Sequence, residues 1–185
     1  MGQHHPPAAA RHTPGPAPDQ DTGQDTDRDT DAAGPPVFPQ EILREWAGLG
    51  IDLPALFSAG ALGSRMGLKV LEASPGKVIG TLPVTGNTQP YGLLHGGASA
   101  VLAETLGSVG AMLHGGPHKL AVGVDLNCTH HRAVRTGTIT GTATPAHTGR
   151  TSATYEIVIT DDHGRRICTA RLTCALRDNP DLPRN

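Results

Sequence analysis

A single acid in a long apolar segment is the feature of this sequence that most constrains its fold. The stretch GNTQPYGLLHGGASAVLAETLGSVGAMLH runs from Gly86 to His114, and Glu104 is the one Asp, Glu, Lys or Arg between Gly86 and Lys119. Burying an unpaired carboxylate costs on the order of several kcal/mol unless its pKa shifts or a partner arrives from elsewhere in the structure. We therefore expect the carboxylate of Glu104 to have a function that requires it at this position.

The same stretch predicts a long buried helix from Gly96 to Leu113. Large apolar residues recur at helical spacing along one stripe, and very small residues occupy the other side. The stripe comprises Ala98, Val101, Leu102, Thr105, Leu106, Val109, Met112 and Leu113, and the small side comprises Gly97, Ala100, Ala103, Gly107, Gly110 and Ala111. We expect the small-residue side of this helix to need cover from another subunit.

Before and after the helix, apolar residues recur with the period of two that is typical of strands. Two short strands joined at Ser74–Gly76 precede the helix, and four strands follow it, with DDHG at 161–164 as the last hairpin turn. The first of these four should place Leu120, Val122, Val124, Leu126 and Cys128 on one face. The sequence therefore predicts an α+β fold in which an antiparallel sheet wraps around a long central helix. The edges of such a sheet also favour an oligomer.

The first 36 residues differ in composition from the rest of the chain. They contain no Val, Ile, Leu, Phe, Trp or Tyr. They therefore lack the apolar side chains whose burial could offset the entropy cost of ordering the chain. We expect residues 1–36 to form a disordered Pro/Asp-rich tail and residues 37–180 to form a single domain. That domain should begin with a helical cap from Pro39, followed by a second short helix around Leu53 to Ala59.

Charge, hydropathy and cysteine content exclude several classes of protein. Six Asp and two Arg give the tail a net charge of −4, which leaves +2 on the remainder of a chain whose total is −2. That excess is too small to indicate nucleic-acid binding. No apolar run approaches the roughly 18 residues that span a membrane, and the three cysteines lack the spacing of metal ligands. We expect a cytoplasmic protein with reduced core thiols and with no metal, membrane or nucleic-acid partner.

The central segment resembles a known family of enzymes. QPYGLLHGGASAVLAETLGS, at 89–108, is similar to the active-site signature of the hotdog-fold acyl-CoA thioesterases. The matching branch contains 1,4-dihydroxy-2-naphthoyl-CoA hydrolase, the enterobactin-synthesis proofreading thioesterase and one type of 4-hydroxybenzoyl-CoA thioesterase. The strands that follow resemble the same branch, so the similarity spans roughly Leu62 to Arg177. The resemblance implies a hotdog domain that hydrolyses an aromatic or medium-chain acyl-CoA, with CoA as part of the substrate and no separate cofactor.

The resemblance also implies roles for five residues. Glu104 would be the catalytic carboxylate, as a nucleophile or as a general base on water. Gly96, at the helix N-terminus, would donate its backbone N–H to the thioester oxygen. Gln89 and His95 would line the same pocket, and Ser108 would hydrogen-bond the carboxylate or the water. In this family Glu104 and Ser108 of one subunit face the other three residues of a second subunit, within a homodimer or homotetramer.

The resemblance places the CoA nucleotide near two basic segments. His131 and Arg132 follow the first strand after the helix, and Arg150 lies in HTGRT at 147–151, so these three residues are the predicted CoA contacts. Each site residue also has a purely structural interpretation. Glu104 could pair with an arginine across an interface, while His95 could serve only as a helix cap.

Two other functions remain open at the level of sequence. One is a hotdog hydratase or dehydratase acting on an enoyl or hydroxyacyl thioester, which would release no free thiol. The other is a non-catalytic acyl-CoA-binding protein, which would bind the ester without consuming it. The QPYGLLHGG arrangement resembles the hydrolases more closely than either alternative.

Overall fold

Three short helices, a hairpin, one long helix and four strands make up the chain in the computed structural model, which describes residues 36–58 and 60–181. The elements are α1 (Gln40–Ala47), α2 (Leu53–Ser58), α3 (Ala61–Met66), β1 (Lys69–Ser74), β2 (Lys77–Pro83), α4 (Gly96–Gly115), β3 (Lys119–His130), β4 (Thr138–Thr148), β5 (Ser152–Thr160) and β6 (Arg166–Asp178). The predicted order of strands and long helix is confirmed. The predicted tail, apart from Pro36, lies outside the described residues, and so does Ala59.

The six strands form one antiparallel sheet in the order β1-β2-β4-β5-β6-β3. Helix α4 contacts all six strands, so the sheet curves around it. The hairpin between β5 and β6 turns at the predicted DDHG segment, where Gly164 has a φ of 72°. This is the α+β hotdog architecture that the sequence predicts. Within the described ranges, no helix has the length and apolarity needed to cross a membrane.

Helix α4 packs closely against the sheet on its small-residue side. A Cβ atom at Gly107 would lie 2.7 Å from Leu172 on β6, and one at Gly110 would lie 2.5 Å from the ring of Tyr155 on β5. On the adjoining part of the helix surface, Leu106 fits against Gly80 and Gly141 of β2 and β4. The expectation that a second subunit must cover the small-residue side is therefore wrong, because the chain's own sheet covers it.

One stripe of α4 is left partly open. The buried residues of the helix include Leu102, Ala103, Leu106, Gly107 and Gly110. Away from the helix ends, the intermediate ones recur at helical spacing and are Ala100, Val101, Glu104, Thr105, Ser108 and Met112. Part of the large apolar stripe predicted from the sequence is thus not core, and the single acid of the helix lies on this half-buried stripe.

Strand β3 contains a β-bulge that changes which residues face the helix. Gly123 pairs with Cys174 and Asp125 pairs with Thr173, so Val124 is an extra residue on the β3 side of the ladder. Because of this insertion Ala121, Leu126 and Cys128 pack toward the core, while Leu120, Val122 and Val124 are 43%, 53% and 67% exposed. The predicted single face of five alternating residues is wrong for this reason.

The two edges of the sheet differ. At β1, the chain preceding α1 adds an isolated bridge between Val37 and Glu72. At β3, no described segment of the chain pairs with the outer side of the strand. The exposed apolar residues of β3 therefore border an open strand edge, which is a site where another chain can pair.

The ring of Tyr155 links three elements of the fold. It is fully buried, packs against Gly110 of α4, and donates its hydroxyl to the carbonyl of Pro75 in the β1–β2 turn at 2.6 Å. Burial raises the pKa of this phenol to about 12, so the hydroxyl remains a donor at all ordinary pH values.

Substituting Gly110→Ala should lower the free energy of unfolding by about 1–3 kcal/mol, because the added methyl group has to displace the buried Tyr155 ring. Urea denaturation followed by circular dichroism measures the change. Gly76→Ala is the matched control, since a Cβ there would meet nothing within 4 Å. Equal stability of the two variants would show that the helix does not depend on this close contact.

Candidate active site

A histidine caps the N-terminus of α4. His95 is the N-cap residue, and its Nδ1 accepts a hydrogen bond from the backbone N–H of Gly97 at 2.8 Å. A Cβ at Gly97 would lie 2.9 Å from the same ring atom, so the close approach needs glycine. Because Nδ1 accepts, the neutral ring carries its proton on Nε2. His95 is therefore a helix cap, and it also presents an N–H donor to its surroundings.

A cavity of 440 Å³ opens beside this end of the helix. Its polar lining residues are Gln89, His95, Gly96, Ser99, His130, His131 and Arg132, so five of the predicted site residues meet in one place. A tight turn holds the glutamine, because the N–H of Gly92 donates to the Gln89 carbonyl and the N–H of Gln89 donates to the Leu93 carbonyl. The lining includes one arginine, three histidines and no acid, which favours an anionic group on a ligand.

His130 is a cavity residue that the sequence analysis did not select as a site residue. A Cβ at Gly96 would lie 3.0 Å from its Nε2, so the imidazole packs directly on the helix N-terminus where a side chain would otherwise stand. His130 follows Leu126 and Cys128 at regular alternation after the bulge, so it lies on the same helix-facing side of β3. The histidine pair at 130–131 was the signal in the sequence, and the alternation of Leu126 and Cys128 indicates that His130 is the one that faces the helix.

The predicted CoA contacts separate into two groups. His131 and Arg132 lie at the cavity, and their backbone N–H groups donate to the carbonyl of Ile167. The ring of His131 also bonds to the hydroxyl of Thr169, with 2.9 Å between the atoms. Arg150 lies elsewhere, in the turn between β4 and β5, where the preceding residue accepts from His114 near the C-terminal end of α4. Arg150 does not line the cavity of its own chain.

Glu104 also lies away from the cavity of its own chain. It follows Gly96 by eight residues, which is about 12 Å along the helix axis. Burial raises the pKa of its carboxyl. The described part of the chain offers the carboxylate no salt bridge, and it rests against the backbone of Gly123 on β3, where a side chain would overlap it. The interpretation of Glu104 as half of an ion pair across an interface stays a prediction, because the pairs seen here all lie within one chain.

Ser108 lies one turn beyond Glu104 on the same open stripe of α4. Its Oγ is 3.9 Å from Sγ of Cys174, and this is the hydrogen bond that the serine makes within the described chain. Its predicted bond to the carboxylate or to a water stays a prediction. Residues 36–58 and 60–181 contain no group of three or more His, Cys, Asp or Glu side chains placed to hold a metal ion.

Comparison with known proteins gives consistent matches. The sequence model of the Thioesterase superfamily matches residues 91–168. Proofreading thioesterase EntH of Cronobacter turicensis is 45% identical over 120 residues, covering 64% of this chain and 88% of that protein. Proofreading thioesterase EntH of Klebsiella pneumoniae is 46% identical over 114 residues, covering 61% of this chain and 83% of that protein.

Solved structures of thioesterases share the fold. Thioesterase HI1161 from Haemophilus influenzae superposes with a TM-score of 0.65 at 32% identity, covering 70% of this chain and 91% of that one. A mutant of thioesterase PA1618 from Pseudomonas aeruginosa gives a TM-score of 0.65 at 34% identity, covering 70% of this chain and 96% of that one. The chain therefore belongs to the thioesterase superfamily and is a thioester hydrolase with a hotdog fold.

Proposed function

We propose that this enzyme hydrolyses aromatic or medium-chain acyl-CoA thioesters to the free acid and CoA, in a site shared between two copies of the chain. The observation that carries the proposal is the separation of the two halves of the site. The cavity with Gln89, His95 and Gly96 contains no acid, and Glu104 stands about 12 Å away along the helix axis. A single chain therefore does not bring the groups that would bind the thioester carbonyl together with the carboxylate that would act on it.

A twofold pairing of β3 edges resolves this separation. The open edge of β3 and its exposed Leu120, Val122 and Val124 provide a surface that can match itself in an isologous contact. Two copies joined there would lay their α4 helices side by side in opposite directions. Glu104 of each copy would then lie level with the Gly96 end of the other helix, and the open stripe of α4 would be covered.

The chemistry follows from what each half offers. The backbone N–H of Gly96 and the positive end of the helix dipole would bind the thioester carbonyl oxygen and stabilise the negative charge that develops on it. His95 would add its Nε2–H, and Gln89 its amide. Glu104 would attack the carbonyl carbon directly or remove a proton from the attacking water. Either route uses one water, breaks the C–S bond and yields a carboxylic acid and the CoA thiol.

Basic residues support CoA as the leaving group. Arg132 and His131 lie at the cavity, where they could bind phosphate groups of the nucleotide. Arg150 lies near the C-terminal end of its own α4. In the antiparallel pair this end would extend about 15 Å past the Gly96 end of the partner's helix, so Arg150 could bind the far end of an extended ligand held in the partner's cavity.

Thiol release from a panel of CoA esters is the first test. We expect turnover of at least one of the benzoyl, 4-hydroxybenzoyl, 1,4-dihydroxy-2-naphthoyl, phenylacetyl, hexanoyl or palmitoyl esters, and a loss of at least about 100-fold in kcat for Glu104→Gln. Glu156→Gln, at an exposed position of β5, is the matched control and should leave the rate unchanged. Full activity of Glu104→Gln would refute the proposed mechanism.

Mixed oligomers test whether the site is shared. Glu104→Gln and Gln89→Ala chains, each weakly active alone, should regain about a quarter of wild-type activity when denatured together and refolded, because half of random dimers pair the two variants and one of their two sites is intact. Separately refolded variants combined afterwards are the control. Activity no higher than the average of the two variants would place the whole site within one chain.

The raised pKa of Glu104 predicts a gain in stability for an inactive variant. A carboxyl whose pKa is higher in the folded state destabilises that state once the pH exceeds its unfolded value of about 4.5. We therefore expect Glu104→Gln to unfold at higher urea concentration than the wild type at pH 7, with the difference shrinking as the pH falls below 4.5. A variant less stable than the wild type at pH 7 would contradict an uncompensated carboxylate.

A further inference from the structure

Strand β3 passes over the Glu104 carboxylate at a residue without a side chain. A Cβ atom built on Gly123 would overlap Oε1 of Glu104, and its next nearest atoms are Cδ and Oε2 of the same group. No other side chain is among these three nearest atoms. The space left at Gly123 is therefore occupied by the carboxylate of one residue.

The backbone does not account for a glycine at this position. Gly123 is absent from the residues with positive φ, so its conformation is open to any amino acid. Glycine inside a strand lowers strand stability and commonly marks a close approach by another group. Here the approaching group is the carboxylate that the proposed function makes catalytic.

We propose that Gly123 is a positioning residue for the Glu104 carboxylate, acting through the space that its missing side chain leaves. The inference rests on the proposed role of Glu104. A side chain at 123 would push the carboxylate off β3 and turn it away from the direction in which it meets the substrate carbonyl. Displacements of about 1 Å in a reacting group can cost on the order of 100-fold in rate.

The bulge beside Gly123 also determines which side chains of β3 face Glu104. If Val124 paired as a regular strand residue instead of forming a bulge, alternation would turn Asp125 toward α4, on the face that carries Gly123. With the bulge, Leu126 takes that place and Asp125 lies on the outer face of the sheet. A second carboxylate is thereby kept away from Glu104, where mutual repulsion would raise the pKa values of both acids.

The neighbouring titratable groups leave the carboxylate uncompensated. Cys128 on β3 and Cys174 on β6 face Glu104, and burial, followed by the negative charge of Glu104, raises the pKa of both thiols. Both are therefore neutral at pH 7. A carboxylate held against backbone and neutral thiols, with no salt bridge among the described residues, keeps its basicity and a fixed direction.

Gly123→Ala tests the inference, with Gly76→Ala as the control that adds the same methyl group in open space. We expect Gly123→Ala to lower kcat by about 10- to 100-fold while KM stays within about twofold, and Gly76→Ala to behave as wild type. The pH profile of kcat/KM should move to lower pH, because the displaced carboxylate is better hydrated. A purely structural loss of folded enzyme would leave the midpoint of that profile unchanged.

A stability cycle covers the case in which Gly123→Ala folds poorly. In the Glu104→Ala background the overlapping carboxylate is gone, so Gly123→Ala should there cost no stability in urea denaturation. An equal cost in both backgrounds would overturn the inference. So would a Gly123→Ala enzyme with wild-type kcat while Glu104→Gln is inactive, an outcome that leaves the proposed function intact. An active Glu104→Gln enzyme would instead overturn the proposed function itself.

Discussion

The close contact of α4 with the sheet is the constraint on which the rest of the molecule depends. Gly107 and Gly110 let the helix approach Leu172 and Tyr155 within direct contact, and Leu106 fits where β2 and β4 carry glycines. With these adjoining parts of the helix surface fixed against strands, the rotation of the helix about its own axis is determined. That rotation leaves the stripe with Glu104 half-buried, in contact with β3 at Gly123. The packing of the small and apolar residues thus decides where the single acid lies.

The bulge in β3 makes the second decisive contribution. One extra residue brings Gly123 onto the same helix-facing side as Leu126 and His130, and it leaves Asp125 on the outer face. Bulges next to active sites commonly re-aim side chains in this way. In this chain the same insertion also leaves Leu120, Val122 and Val124 exposed along an open edge. The local geometry of the site and the surface available for assembly therefore have one cause.

Much of the fold could be predicted from sequence because its signals are local. The long helix, the strands before and after it and the DDHG turn follow from periodicity and turn chemistry, and Gln89, His95, Gly96, His131 and Arg132 do meet in one cavity. The predictions that were wrong depended on contacts between residues distant in sequence. A bulge cannot be seen in an alternating pattern, so the exposure of Leu120, Val122 and Val124 on β3 could not be predicted. Small helix residues likewise do not reveal whether they meet the same chain or another.

An edge with three exposed apolar side chains has a consequence for the life of the newly made chain. Unpaired strand edges of this kind join readily to any other edge they meet, including those of unfolded or unrelated proteins. A copy that stays alone is therefore at greater risk of aggregating than one whose edge is occupied. If the edge is the site of self-pairing, the cell's pool of lone chains is both inactive and short-lived. Synthesis of neighbouring copies from one messenger RNA would then favour enzyme that is assembled as soon as it is folded.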